Sequence, residues 1–304
     1  MKNKISVIID DNPSIGYEKK RWSSIYRLPL MWMLALWVAL KKKILGPKLE
    51  ISTYWVDGVS LICREIKEKA TTWRALDLIY NHKFGQGKDF GERVADFWLK
   101  ILNAQAVRNR LKLVKQKLKE EIERISTRTD SEIRLLSIAS GSAQGVIEVM
   151  KEFKQKGVYV QAIFLDIDPT AIEHSKNLAQ KAGVIEKITF INKSTREIEG
   201  IAKGFNPQIV ELVGFLEYRP KEKAIALIKR IYRSLASEGV LLTSNINYNP
   251  EILFFDWVLN WQMIYRTPRE LAEILVKGSF NPKTCKIICE PLKIYSLAIC
   301  KKSI

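Results

Sequence analysis

Residues 135–150 read LLSIASGSAQGVIEVM: an apolar run (Leu135, Leu136, Ile138), then small residues from Ala139 to Gly145, then a new apolar pattern from Val146. Small side chains let a backbone come close to a ligand, and a helix that starts there offers unpaired N–H groups to negative charge. The same pattern also occurs wherever a strand and a helix pack tightly. Asp166, in "FLDIDP", stands about 25 residues beyond Gly141, near the spacing at which an acid takes the ribose hydroxyls of a nucleotide ligand. Asp168, directly before Pro169, fits the N-cap of the next helix instead. Glu211 falls inside an apolar run, where a carboxylate is costly to bury without a partner. The only histidines are His82 and His174, and Cys285 and Cys289 lack the paired spacing of a zinc site, so no metal centre is expected. His174 lies on the helix after Asp166 and reads as a packing or surface residue.

These residues need elements to position them. From Ile133 onward, short runs rich in Ile, Val and Leu alternate with helical patterns over about 144–156, Pro169 to Lys181 and about 221–236. That alternation predicts a mostly parallel sheet with helices on both faces, whose ligands bind beyond the carboxyl ends of the strands. "TCKIICE" and "KIYSLAICKK", separated by Pro291, fit an antiparallel pair at the sheet edge. Residues 14–130 read mainly as helices, with apolar residues at three-to-four spacing from Val94 through Ile122. The expected organisation is a helical region over 1–130, covering the substrate, and a ligand-binding domain over 131–304.

The stretch from about Ile133 to Lys302 resembles a class I S-adenosylmethionine-dependent methyltransferase: an α/β fold with a Rossmann-like, mostly parallel sheet and an antiparallel closing hairpin. "LLSIASGSAQG" resembles the family's first motif, "IFLDIDPTAIEHSKNLAQKAGV" its second, and "KITFINKST" its third strand. "PQIVELVGFLEYRPKEKAIALIKRIYRSLASEGVLLTSNI" follows the fourth strand, helix and fifth strand. The wording is similar to a bacterial-type subgroup. The resemblance implies S-adenosyl-L-methionine as cofactor, held by Ser137, Ala139, Ser140, Gly141, Asp166, Ile167, Ser194 and Glu211, with Glu211 partnered by the cofactor's ammonium. It also implies Glu217, Tyr218 and Tyr265 as catalytic candidates. Asn245, Asn247 and Arg266 face the pocket or serve loop chemistry. Arg108, Asn109 and Arg110 reach a substrate phosphate or carboxylate, or form a solvated helix face. Two departures stand out: the family commonly has an acid where this chain has Ser137, and glycines where it has Ala139 and Ala143.

The formal net charge of +17 permits nucleic acid, an anionic membrane or an acidic substrate as partner, and chooses none. Residues 1–130 hold 26 Lys/Arg against 15 Asp/Glu, so the excess is concentrated there. "LPLMWMLALWVAL", Leu28 to Leu40, is followed by Lys41–Lys43 and is too short to cross a bilayer of about 30 Å. It is either a buried helix, the favoured reading, or an interfacial one anchored by Trp32 and Trp37. Together with Trp22, Trp55 and Trp73, those tryptophans build an apolar pocket or plain core. Four sparse cysteines and acidic residues near the start suit a cytoplasmic protein, with peripheral membrane contact left open. The leading functional expectation is methyl transfer to a small-molecule or lipid-like acceptor. RNA methylation and a non-catalytic module that binds a membrane surface or a partner are the alternatives. The sequence does not fix the oligomeric state.

Overall fold

In the computed structural model, which describes residues 5–19, 25–46, 50–87, 89–128 and 132–303, one sheet has eight strands. They are β1 (Ser6–Ile9), β2 (Ile133–Ile138), β3 (Val160–Asp166), β4 (Ile188–Asn192), β5 (Ile209–Leu212), β6 (Val240–Ile246), β7 (Cys285–Cys289) and β8 (Tyr295–Lys301). Their spatial order is β1-β7-β8-β6-β5-β2-β3-β4. Only β8 runs against its neighbours, pairing antiparallel with both β6 and β7. The strand order reverses at β2 and β5, which lie side by side, so their carboxyl ends form the crevice where such sheets take ligands. The expected fold class stands. One strand was not anticipated: "SVII" carries no alternation, yet it pairs parallel with β7 and puts a further strand outside the closing hairpin.

The described helices are α1 (Leu28–Leu45), α2 (Leu61–Glu68), α3 (Trp73–Asn81), α4 (Phe90–Trp98), α5 (Leu102–Ser126), α6 (Gln144–Gln155), α7 (Pro169–Ala182), α8 (Ile198–Ala202), α9 (Lys221–Ser234) and α10 (Pro268–Lys277). On one face of the sheet, Leu136, Ile138, Ile163, Leu165, Val210 and Leu212 pack with Ile198 of α8, Leu227 and Ile231 of α9 and Leu271 and Ile274 of α10. Because strand side chains alternate, Ser137 and Glu211 point to the other face. Local signals set the helix ends. Asp168 accepts from the Thr170 N–H at 2.8 Å, and Pro169 occupies the first turn of α7. Thr267 and Glu270 form a reciprocal capping box on α10.

The chain divides into two compact units, and not at about residue 130. The first comprises residues 1–16, 110–247 and 264–304 and holds the sheet. β1 belongs to it through its ladder with β7, and the later part of α5 through pairing of Lys115 and Lys119 with Glu148 and Glu152 of α6. The second unit comprises residues 17–109 and 248–263. In it Glu251 is buried and its carboxylate accepts the N–H groups of Leu102 and Asn103, the orphan donors at the start of α5. α1 is not the buried helix favoured from sequence: Met31, Ala35 and Val38 are buried, while Trp32, Met33, Leu36, Trp37 and Leu40 are exposed. Trp55 is exposed as well, and Trp22 lies outside the described residues. Among the described residues, no helix is long and apolar enough to cross a membrane.

Candidate active site

The small-residue turn follows β2 directly. Ala139, Gly141 and Ala143 all have left-handed backbone, at φ of 50°, 53° and 48°. The two alanines therefore keep the conformation that glycine adopts without a penalty, at a cost of about 1–2 kcal/mol each. Gly145 has a different job. A Cβ there would come within 2.8 Å of the Leu111 side chain, so this glycine lets α6 approach α5. The tight-packing reading of the small-residue cluster thus holds at Gly145.

Asp166, at the end of β3, fastens this turn. One carboxylate oxygen accepts from the Gly141 N–H at 2.8 Å and the other from the Asp168 N–H at 2.9 Å. Each oxygen keeps a further lone pair, so the carboxylate can still accept from two hydroxyls. Beside it, Ile167 holds an apolar side chain out to solvent, 73% exposed. The Ser140 hydroxyl is buried in the turn and has no hydrogen-bond partner among the described residues. A buried polar atom of this kind is unusual unless a ligand or water completes it. Ser194, after β4, accepts from the Arg196 N–H and caps a short helical turn.

Ser137 and Glu211 are directly paired residues of β2 and β5, both buried, and the serine hydroxyl donates to the glutamate at 2.5 Å. The partner expected for Glu211 was the cofactor; within the protein it is Ser137. The carboxylate that the resemblance would put on β2 stands one strand over. Burial pushes the Glu211 carboxyl up to about 7, against the opposing pull of the Ser137 hydrogen bond and the Arg110 charge.

Glu217 lies in the one-turn helix Leu216–Tyr218 after β5 and is buried. One of its oxygens stands 3.4 Å from an Arg110 guanidinium nitrogen, and the other has no hydrogen-bond partner among the described residues. Burial raises the Glu217 pKa, with the charges of Arg110 and Arg266 opposing. The Arg110 guanidinium lies over the Tyr295 ring at 4.5 Å, and a Cβ at Gly214 would sit 3.5 Å from it. Tyr265 is brought beside this turn by its neighbours: the Ile264 N–H donates to the Glu217 carbonyl at 2.7 Å, and the Arg266 N–H to the Ile246 carbonyl at 3.0 Å. Tyr218 and Tyr265 are both half-buried.

Other residues singled out from sequence are tied into the fold by hydrogen bonds. Arg266 donates to Asn245 Oδ1 at 2.7 Å and to the carbonyls of Leu216 and Arg219, tying the β5 loop to β6. Asn247 donates to the Lys293 carbonyl and accepts from Ser296. Arg108 pairs with Glu18, and Asn109 both accepts from and donates to the Glu18 backbone. Neither lies on a solvated face. Among the described residues, no cluster of His, Cys, Asp and Glu could hold a metal ion.

Fold and turn together define a class I methyltransferase architecture. The family model described as "Putative methyltransferase" matches residues 14–302, and the chain belongs to that family. No curated protein matches the sequence. Among solved structures, a "possible exported protein" from Bordetella parapertussis shares 15% identity at a TM-score of 0.67, covering 97% of this chain and 100% of that one. An O-methyltransferase family protein from Burkholderia thailandensis shares 15% identity at a TM-score of 0.50, covering 80% and 71%. Magnesium protoporphyrin IX methyltransferase from Synechocystis PCC 6803, solved with bound S-adenosylmethionine, shares 13% at a TM-score of 0.50, covering 76% and 89%.

Proposed function

We propose that this methyltransferase binds S-adenosyl-L-methionine at the ends of β2 and β3 and methylates a small-molecule or lipid-like acceptor. The observation that carries the reading is Asp166. Two backbone N–H groups hold its carboxylate, its remaining lone pairs are available, and the unpartnered Ser140 hydroxyl lies in the same turn. Asp166 would take the ribose hydroxyls, Ile167 the adenine face and Ser194 its edge. The backbone from Ala139 to Gly141 would underlie the methionine part. Glu211, oriented by Ser137 and ionising as the ammonium enters, would meet that group, replacing from β5 the acid absent from β2.

The bound cofactor would supply an electrophilic methyl carbon on a sulfonium; the protein has to align the acceptor and exclude water. Glu217 is the base for an acceptor that carries a proton. Its unpartnered oxygen can take that proton, and its raised pKa suits it to hold one, while Arg110 keeps the ionised form accessible. Tyr218 and Tyr265 would position the acceptor through their phenol groups.

The direct test is calorimetric titration with S-adenosylmethionine, beside an Asp166→Ala variant shown to be folded by circular dichroism. Wild-type binding that the substitution abolishes supports the cradle. A folded wild-type protein that binds neither S-adenosylmethionine nor its demethylated product would sink the proposal.

A further inference from the structure

α1 presents its apolar residues on two sides. Met31, Ala35 and Val38 face inward. On the outside, Trp32, Met33, Leu36, Trp37, Leu40 and Ile44 are 40–73% exposed, and Leu36 and Ile44 are among the barest large apolar side chains of the protein. At about 100° per residue these six fall within an arc of about 140° centred on Leu40. They form one continuous stripe along the helix. A soluble helix normally turns its polar face outward, so an outer stripe without a charge over its first three turns is an anomaly.

The helix is firmly seated by other groups. The Trp32 indole N–H donates to the Pro250 carbonyl at 2.8 Å, and Lys42 Nζ donates to Asn260 Oδ1 at 2.8 Å. The segment it rests on adds two more exposed apolar side chains, Leu253 and Trp257. The stripe is therefore a fixed surface that has no cover among the described residues.

Charge indicates what covers it. From Leu28 to Leu49 the chain has Lys41, Lys42, Lys43 and Lys48 and no acidic residue. Lys41 lies over the Trp37 ring at 3.9 Å and Lys43 is exposed, so cations border the stripe at its C-terminal end. A second copy of the chain would bring its own +17 against this one. An anionic bilayer supplies both an apolar phase for the stripe and negative headgroups for the lysines, and tryptophans prefer that interface.

We infer that α1 docks in the plane of an anionic phospholipid surface, with Trp32, Met33, Leu36, Trp37, Leu40 and Ile44 entering the headgroup–acyl boundary and Lys41 and Lys43 meeting lipid phosphates. This inference is independent of the methyl-transfer reading.

The test is co-sedimentation of the full chain with phosphatidylcholine vesicles, with and without phosphatidylglycerol. Leu36→Ser/Leu40→Ser and Lys43→Gln variants are compared alongside, and size-exclusion chromatography is run over a range of concentrations. Both leucines are exposed, so the doubly substituted chain should keep its circular dichroism spectrum. The expected result is sedimentation with the anionic vesicles that falls with added salt, and a loss of about tenfold or more in the leucine variant. Lys43→Gln should lose less, and only with anionic vesicles. No sedimentation by the wild type would overturn the inference. So would a concentration-dependent dimer that the leucine substitutions abolish, which would make a second copy the occupant.

Discussion

Replacing Glu211 by Gln should change how stability depends on pH, in a calculable direction. The carboxyl is buried and raised from an ordinary 4.5 to about 7, so the folded protein holds the proton more tightly than the unfolded chain does. Below pH 4.5 the residue is protonated in both states and costs nothing. As pH rises from 4.5 towards 7 the unfolded chain ionises first, and stability falls. Above 7 the full difference applies: 2.5 pKa units at 1.36 kcal/mol each is about 3 kcal/mol. Gln has nearly the same shape and can keep a hydrogen bond with Ser137, but it does not ionise. Relative to their difference below pH 4.5, the variant should gain less than about 1 kcal/mol on the wild type at pH 5 and about 3 kcal/mol at pH 8. Urea unfolding followed by circular dichroism at both pH values reads this directly. Glu217 and Glu251, also raised by burial, contribute equally to both proteins and cancel in the comparison. A stability difference that is the same at pH 5 and pH 8 would refute the reasoning, because it would mean that Glu211 titrates alike in both states.

Ala139→Gly should raise stability by roughly 0.5–1 kcal/mol, since relief of the left-handed penalty exceeds the added chain entropy; thermal unfolding measures it. Asp168→Ala should cost about 1 kcal/mol through the lost cap of α7 yet leave cofactor affinity unchanged by calorimetry, whereas Asp166→Ala should abolish binding. Glu217→Gln should lower kcat by about 10²–10⁴ on an acceptor that carries a proton, with cofactor affinity retained. Retained turnover would show that the acceptor needs no base.

The sheet domain was legible because its signals are local. Asp168 and Pro169 mark the start of α7, and β-branched runs separated by helical patterns specify parallel strands. The two aspartates of "DIDP" could even be told apart, since only the one before proline stands at a cap position. What escaped was pairing across the chain. Nothing in "SVII" says that it joins β7, because four exposed residues in a row carry no period. Ser137 and Glu211 look unrelated at a separation of 74 residues, and only the parallel register of β2 and β5 makes them partners. Arg108, Asn109 and Arg110 are consecutive, yet Arg108 pairs with Glu18 and Arg110 with Glu217. The exposure of α1 was hidden because an apolar helix reads the same whether protein or lipid covers it.

β1 also bears on how the protein should be handled at the bench. It shields the outer edge of β7, a strand of two cysteines, two isoleucines and a lysine, of which only Lys286 is not buried. The family match begins at residue 14, so a chain trimmed to that boundary would lack β1 and bare a row of unpaired amides along an apolar strand. Such an edge templates strand-by-strand self-association. Here β1 covers that edge with four residues, and Asp10 extends the cover by donating its N–H to the Cys289 carbonyl at 2.9 Å while its carboxylate pairs with Lys117. A preparation shortened at its start would precipitate for a reason that has nothing to do with the cofactor site.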